Sequence, residues 1–164
     1  MLDFENLKAS DVLQAMVTGL QKSKNDPDFV VKMETFGKVK NNLCYGCCAT
    51  LTLAEMFGKG QSASELMLGF IKTSVDDSGF AYAFLSDVIP LEPLIAQDSL
   101  PITLENLEEA VDKARMGSVS WLIRLLTGKK NASFDRRWYL RSDNWEEKLP
   151  DVEVTIAEMI AAGY

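Results

Sequence analysis

The sequence predicts an all-α protein, an irregular single-domain bundle of six to eight short helices spanning residues 1–164. Three observations predict it. Apolar residues recur at spacings of three and four along most of the chain. Cap and stop residues bracket these runs. No series of alternating apolar and polar residues marks out a sheet. One small hairpin near the C-terminus, between Arg136 and Val154, is the alternative left open.

The first helix is expected from Ser10, an N-cap residue, with Val12, Leu13, Met16, Val17 and Leu20 on one face and a polar loop from Gln21 to Asn25. Asp26-Pro27 has the cap-then-proline order of a helix start, and Phe29, Met33 and Phe36 follow at i, i+4 and i+7 before Gly37. Val30-Val31 argues for a strand at the same place. Asn42 can cap a helix through about Phe57, stopped by Gly58. Ser62 and Glu65 have the spacing of a capping box, and Leu66, Met67, Phe70 and Ile71 follow inward. Asp76-Asp77-Ser78 offers caps for a helix carrying Phe80, Ala81, Phe84, Leu85 and Val88. Pro90, Pro93 and Pro101 then mark a long loop.

Thr103 caps the clearest element, with Leu104, Leu107, Val111 and Ala114 on its inner face. Glu105, Glu108, Glu109 and Asp112 precede Lys113 and Arg115, the charge order that a helix dipole favours. Gly117 ends this helix, and Ser118 caps a short one with Val119, Leu122, Ile123 and Leu126 inward and Gly128 as its stop. Trp121 and Leu125, apolar on another side, make that helix central, and Trp121 and Trp145 are expected in the core. A polar, aromatic stretch from Lys129 to Leu149 leads to a closing helix from Pro150, with a short strand through Val152, Val154 and Ile156 as the alternative. The core is expected around Leu51, Phe70, Phe84, Leu107, Val111, Val119, Leu122 and Leu126.

Composition narrows the chemistry. An apolar fraction of 47% and a charged fraction of 25% belong to an ordinary globular protein. No apolar run approaches the roughly 20 residues needed to cross a bilayer. Met1 to Glu5 lacks the basic and apolar regions of a secretory signal, so a cytoplasmic, non-membrane protein is expected. The chain contains no histidine, which removes histidine-based triads, histidine metal sites and the usual general base near neutral pH. A non-enzymatic protein is therefore favoured, with no cofactor and no metal expected.

Cys44-Tyr45-Gly46-Cys47-Cys48 is the most unusual segment. A C-x-x-C pair at a helix N-terminus can hold a thiolate, so Cys44, Cys47 and Cys48 are candidates for thiol-dependent redox chemistry. The run through Ala49 is similar to the C-G-S-C-W-A of papain-like proteases, with Cys47 at the nucleophile's position; that mechanism requires a histidine. The competing reading puts Cys44, Cys47, Cys48 and Leu51 at i, i+3, i+4 and i+7, one buried stripe of a helix. Gly58-Lys59-Gly60-Gln61-Ser62 invites comparison with an anion nest, but a glycine-stopped turn between helices accounts for it.

Charge is segregated along the chain. The net charge is −7, yet residues 113–141 hold eight basic residues and one acid, Asp135. Arg124, Lys129, Lys130, Arg136, Arg137 and Arg141 mingle there with Trp138 and Tyr139, a composition common in interface hot spots. These eight residues form the candidate partner-binding set. The competing reading lays the segment against the Glu105–Asp112 helix and neutralises it internally. The function expected is a protein-interaction module, of inhibitor, immunity or adaptor type, whose acidity suits a basic partner. Self-association remains open. Nucleic acid is disfavoured by the overall negative charge, and weak anion or RNA binding through 113–141 is the remaining alternative.

Overall fold

A computed structural model describes residues 3, 6–72, 80–89, 102–128 and 140–164. The described elements are α1 (Ala9–Ser23), β1 (Phe29–Val31), β2 (Lys38–Lys40), β3 (Leu43–Gly46), α2 (Cys48–Phe57), α3 (Ala63–Lys72), α4 (Phe80–Val88), α5 (Leu104–Ala114), α6 (Ser120–Thr127) and α7 (Trp145–Ala161). The all-α expectation is thereby corrected: the fold is a helix-rich α/β mix, and its seven described helices are joined by a three-stranded mixed sheet of order β1-β3-β2.

The physical reason lies in two turns. Asp26 caps a turn and not a helix: its carboxylate accepts the Asp28 N–H at 3.0 Å, and its carbonyl accepts that of Phe29. Val30 and Val31 then extend as β1, parallel to β3, with Phe29 opposite Cys44 and Val31 opposite Gly46. Phe29, Met33 and Phe36 are all buried, so their spacing reports an inward side without a helix. Asn41 and Asn42 take φ of 53° and 61°, the two positive values of a type I′ hairpin turn. They join β2 to β3 with Lys40 opposite Leu43. The helix expected from Asn42 therefore begins only at Cys48.

The hairpin left open between Arg136 and Val154 is not formed over its described residues, 140–154. Residues 145–161 form α7, which starts ahead of Pro150 and carries it inside the helix. Proline there forfeits one bond to the carbonyl four residues back, a loss the helix absorbs because Trp145, Leu149, Val152, Ile156 and Met159 are buried along one side.

The N-caps expected at Ser10 and Ser118 are corrected to Lys8 and Val119, while other expected caps hold. Ser62 and Glu65 exchange the reciprocal capping-box bonds at 3.0 and 3.2 Å. Thr103 Oγ1 accepts the Asn106 N–H at 3.2 Å. Gly128 caps α6 with φ 66°. The caps expected at Asp76 to Ser78 and the proline loop from Pro90 to Pro101 lie outside the described residues.

Helix α1 is the hub, packing on α2, α6 and α7. The α1–α2 approach is close because residue 19 is glycine: a Cβ there would stand 2.8 Å from the Leu51 carbonyl oxygen. The core runs through Leu13, Met16, Leu20, Leu53, Phe84, Leu107, Leu122 and Ile123, all nearly or fully inaccessible.

Candidate interaction surface

The α5–α6 corner is held from several directions. Gly117 has φ 92°, and a Cβ on it would lie 2.6 Å from the Leu140 carbonyl oxygen. Leu140 N–H donates to the Gly117 carbonyl at 3.3 Å, which seats the chain leading into Arg141 beside this corner. Glu34 N–H donates to the Arg115 carbonyl at 2.9 Å, and Met33 N–H donates to Ser142 Oγ at 2.9 Å.

On this framework α5 turns Leu107, Ala110, Val111 and Ala114 inward. Glu105, Glu109, Asp112 and Lys113 face solvent. Helix α6 buries Leu122, Ile123, Leu125 and Leu126, which leaves Trp121 and Arg124, three residues apart, on its outer side. The core position expected for Trp121 is thus corrected: 44% of it is exposed, whereas Trp145 is buried. The reason is angular. Four apolar residues fill the inner half of this short helix, and Trp121 falls on the other half.

Two cations flank the Trp121 ring, Lys113 Nζ at 5.8 Å and Arg124 Cζ at 5.9 Å from its centroid. Such contacts contribute about 0.5–1 kcal/mol each at exposed sites. Met116, in the turn between the helices, is 59% exposed. Lys113, Met116, Trp121 and Arg124 thus make an amphipathic patch. Arg141 follows Leu140 at its margin and reaches Asp143 at 3.2 Å.

Of the eight residues expected to bind a partner, Arg124 and Arg141 are described and exposed; Lys129, Lys130, Arg136, Arg137, Trp138 and Tyr139 lie outside the described residues. Sequence reasoning missed Lys113 and Met116 as members and misplaced Trp121. The available signal was Trp121 and Arg124 at i and i+3, opposite the leucines. Internal neutralisation is seen locally, where Arg115 Nε lies 3.4 Å from Asp112 Oδ1.

The three cysteines do not share a helical stripe. Cys44 is on β3, Cys47 is the N-cap of α2 and Cys48 is its first residue. All are free and fully buried. Cys48 S–H donates to the Ala114 carbonyl at 3.5 Å, and Cys47 Sγ lies 3.6 Å from Thr50 Oγ1. Burial pushes the Cys44 thiol up to about 11, helped by the negative charges of Asp26 and Asp28. Burial likewise raises Cys47, against hydrogen bonds from Thr50 and the backbone, and raises Cys48 further, with Cys47 adding to the effect. The helix N-terminus favours a thiolate, but desolvation is the larger effect here. Accessibility and thiolate character, which a reactive thiol needs, are both opposed.

The segment from Gly58 to Ser62 is the α2–α3 turn, and its amides are used internally: Gln61 N–H donates to the Gly58 carbonyl and Ser62 N–H to the Glu65 carboxylate. It borders a cavity of about 270 Å³ lined by Lys22, Ser23, Asp26, Glu55 and Ser62, where Lys22 and Glu55 pair at 2.9 Å. Among the described residues no group of three or more cysteines, aspartates or glutamates is arranged to hold a metal, and no helix is long and apolar enough to cross a membrane.

Compared with known proteins, the chain matches no family model, no curated protein and no solved structure.

Proposed function

We propose that this protein is a non-enzymatic protein-interaction module of the adaptor or inhibitor type, and that it meets its partner through the face centred on Trp121. One observation carries this reading: an indole left 44% exposed between Lys113 and Arg124, beside an exposed Met116. Tryptophan, arginine and methionine are enriched at protein interfaces, where a large rigid ring beside a cation gives much contact area for little lost freedom. The acidic stripe of Glu105, Glu109 and Asp112 next to this face, with the net charge of −7, gives a basic region of the partner a complementary neighbour. Three free thiols fit a reducing compartment such as the cytoplasm.

Photo-cross-linking tests the reading. A photoreactive residue at Met116 should capture a partner from the native lysate, and the same probe at Val154, exposed on α7, should not. The captured protein, once purified, should bind the wild type and lose affinity when Trp121 or Arg124 is replaced by alanine. Capture from Val154 alone would place the interface elsewhere.

A further inference from the structure

Strand β2 is an open edge. The order β1-β3-β2 leaves one side of Lys38–Lys40 without a described strand. The turn at Asn41-Asn42 makes Lys40 and Leu43 the hydrogen-bonded pair that closes the hairpin. Lys38 and Tyr45 are then the next such pair, and Val39–Cys44 falls between them. The Cys44 amide has this phase, since it donates away from β2, to the Asp28 carbonyl at 2.8 Å. The N–H and C=O of Val39 therefore point out along the free edge, and neither is hydrogen-bonded to a described residue. An edge donor and acceptor of this kind is a template for another extended chain.

The side chains select which chain. They alternate across a strand, so Lys38 and Lys40 share the face of Tyr45 and Leu43, while Val39 lies on the other face, half-buried against the core. Both lysines are exposed, and neither has an ion-pair partner among the described residues. Asp28 precedes β1, across β3 from β2, and Glu34 is tied through its amide to the Arg115 carbonyl at the α5–α6 corner. Two β2 edges brought together would set these lysines against one another, a guard against self-pairing. The same charges favour a strand with carboxylates opposite them, because cross-strand pairs of opposite sign stabilise a sheet. The net charge of −7 belongs to the whole chain and is screened beyond about 10 Å, whereas residues facing Lys38 and Lys40 would stand about 4.5 Å away, Cα to Cα.

We infer that β2 accepts an extended acidic segment of a partner protein as a fourth strand, antiparallel to it. One residue of the segment exchanges two backbone bonds with Val39, and its neighbours on either side present carboxylates to Lys38 and Lys40. Its own side chain, on the face of Val39, is apolar, so the pattern read is acidic–apolar–acidic. With β2 three residues long, this contact is weak alone and gains from a second, tethered contact. The edge carries none of the residues of the Trp121 face, so either surface can fail without the other.

Nuclear magnetic resonance on the isotope-labelled full chain tests this. A blocked peptide with two glutamates flanking a valine, at about 1 mM, should shift the amides of Lys38, Val39 and Lys40 and slow hydrogen exchange at the Val39 N–H. Binding should weaken at least about five-fold between about 0.05 and 0.5 M salt. The same peptide with lysines for glutamates, or with its valine nitrogen methylated, should lose these effects. Oligothymidylate, a polyanion with no strand to add, should leave Val39 exchange unchanged. The double variant Lys38→Glu, Lys40→Glu, checked for folding by circular dichroism, should refuse the glutamate peptide and accept the lysine one. No protection at Val39, equal binding of the methylated peptide, equal protection by oligothymidylate, or a folded double variant that binds the glutamate peptide as the wild type does would each overturn the inference.

Discussion

The ammonium of Lys113, in the last turn of α5, lies 5.8 Å from the centroid of Trp121, in the first turn of α6, and the indole between the two helices remains 44% exposed. A tryptophan placed for stability would be turned into the core, where full burial of a large side chain is worth about 1.5–3 kcal/mol. Its position on the outer half of α6 leaves the ring outside the core, flanked by Lys113 and Arg124.

The two tryptophans should therefore behave differently. Trp121→Ala is expected to cost about 1–2 kcal/mol, the sum of its two exposed cation–π contacts. Trp145→Ala is expected to cost about 3–5 kcal/mol, because that ring closes the core at the start of α7. Urea denaturation of both variants measures the difference; equal losses would mean that Trp121 is a strut.

The β2–β3 turn offers a backbone test. Asn41 and Asn42 both have positive φ. Asn42→Gly should raise stability slightly, since glycine takes this conformation freely, and Asn42→Val should lower it by about 1–2 kcal/mol. At this chain length that corresponds to a fall in Tm of about 2–8 °C. A valine variant that melts with the wild type would contradict the hairpin.

The same turn shows how far the sequence could be read. Helices α3 and α5 were legible because their caps are side chains: Thr103 and the Ser62–Glu65 pair make the expected bonds; α1 and α6 were legible from their apolar faces, although their N-caps are Lys8 and Val119 and not Ser10 and Ser118. The sheet was not. Its strands are three or four residues long, too short for alternation to show, and Phe29, Met33 and Phe36 face inward at a helical spacing. Arg124 and Arg141 were legible as exposed cations. The exposure of Trp121 was not, because α6 is apolar on more than one side and only the packing of α1 and α5 decides which side is inside.

The thiols predict a pH dependence. A thiol whose folded pKa is raised is favoured in its neutral form by the folded state. Its contribution is complete below the unfolded pKa and is lost as pH rises through the folded one. For Cys44 that window runs from the ordinary value of 9.0 to about 11. Urea midpoints should fall across this range, less steeply in Cys44→Ala. A thiol reagent at pH 8 should label native Cys44, Cys47 and Cys48 slowly and the denatured chain quickly. Fast native labelling would revive the redox reading.

Close packing of the hub predicts a third loss. Gly19→Ala gains about 1 kcal/mol of helix propensity but drives a methyl group against the Leu51 carbonyl, 2.8 Å away. Overpacking typically costs about 1–3 kcal/mol, and backbone cannot swing aside as a side chain does, so a net loss is expected in thermal melts. A stabilised variant would show that α1 and α2 can separate without penalty.

The most direct test of the Trp121 face is calorimetric titration of the cross-linked partner, once purified, into the wild type and into the double variant Trp121→Ala, Arg124→Ala. If these side chains anchor the interface, affinity should fall at least about 30-fold, the equivalent of 2 kcal/mol, with urea stability changed by no more than about 2 kcal/mol. Unchanged affinity in a folded double variant would contradict the account.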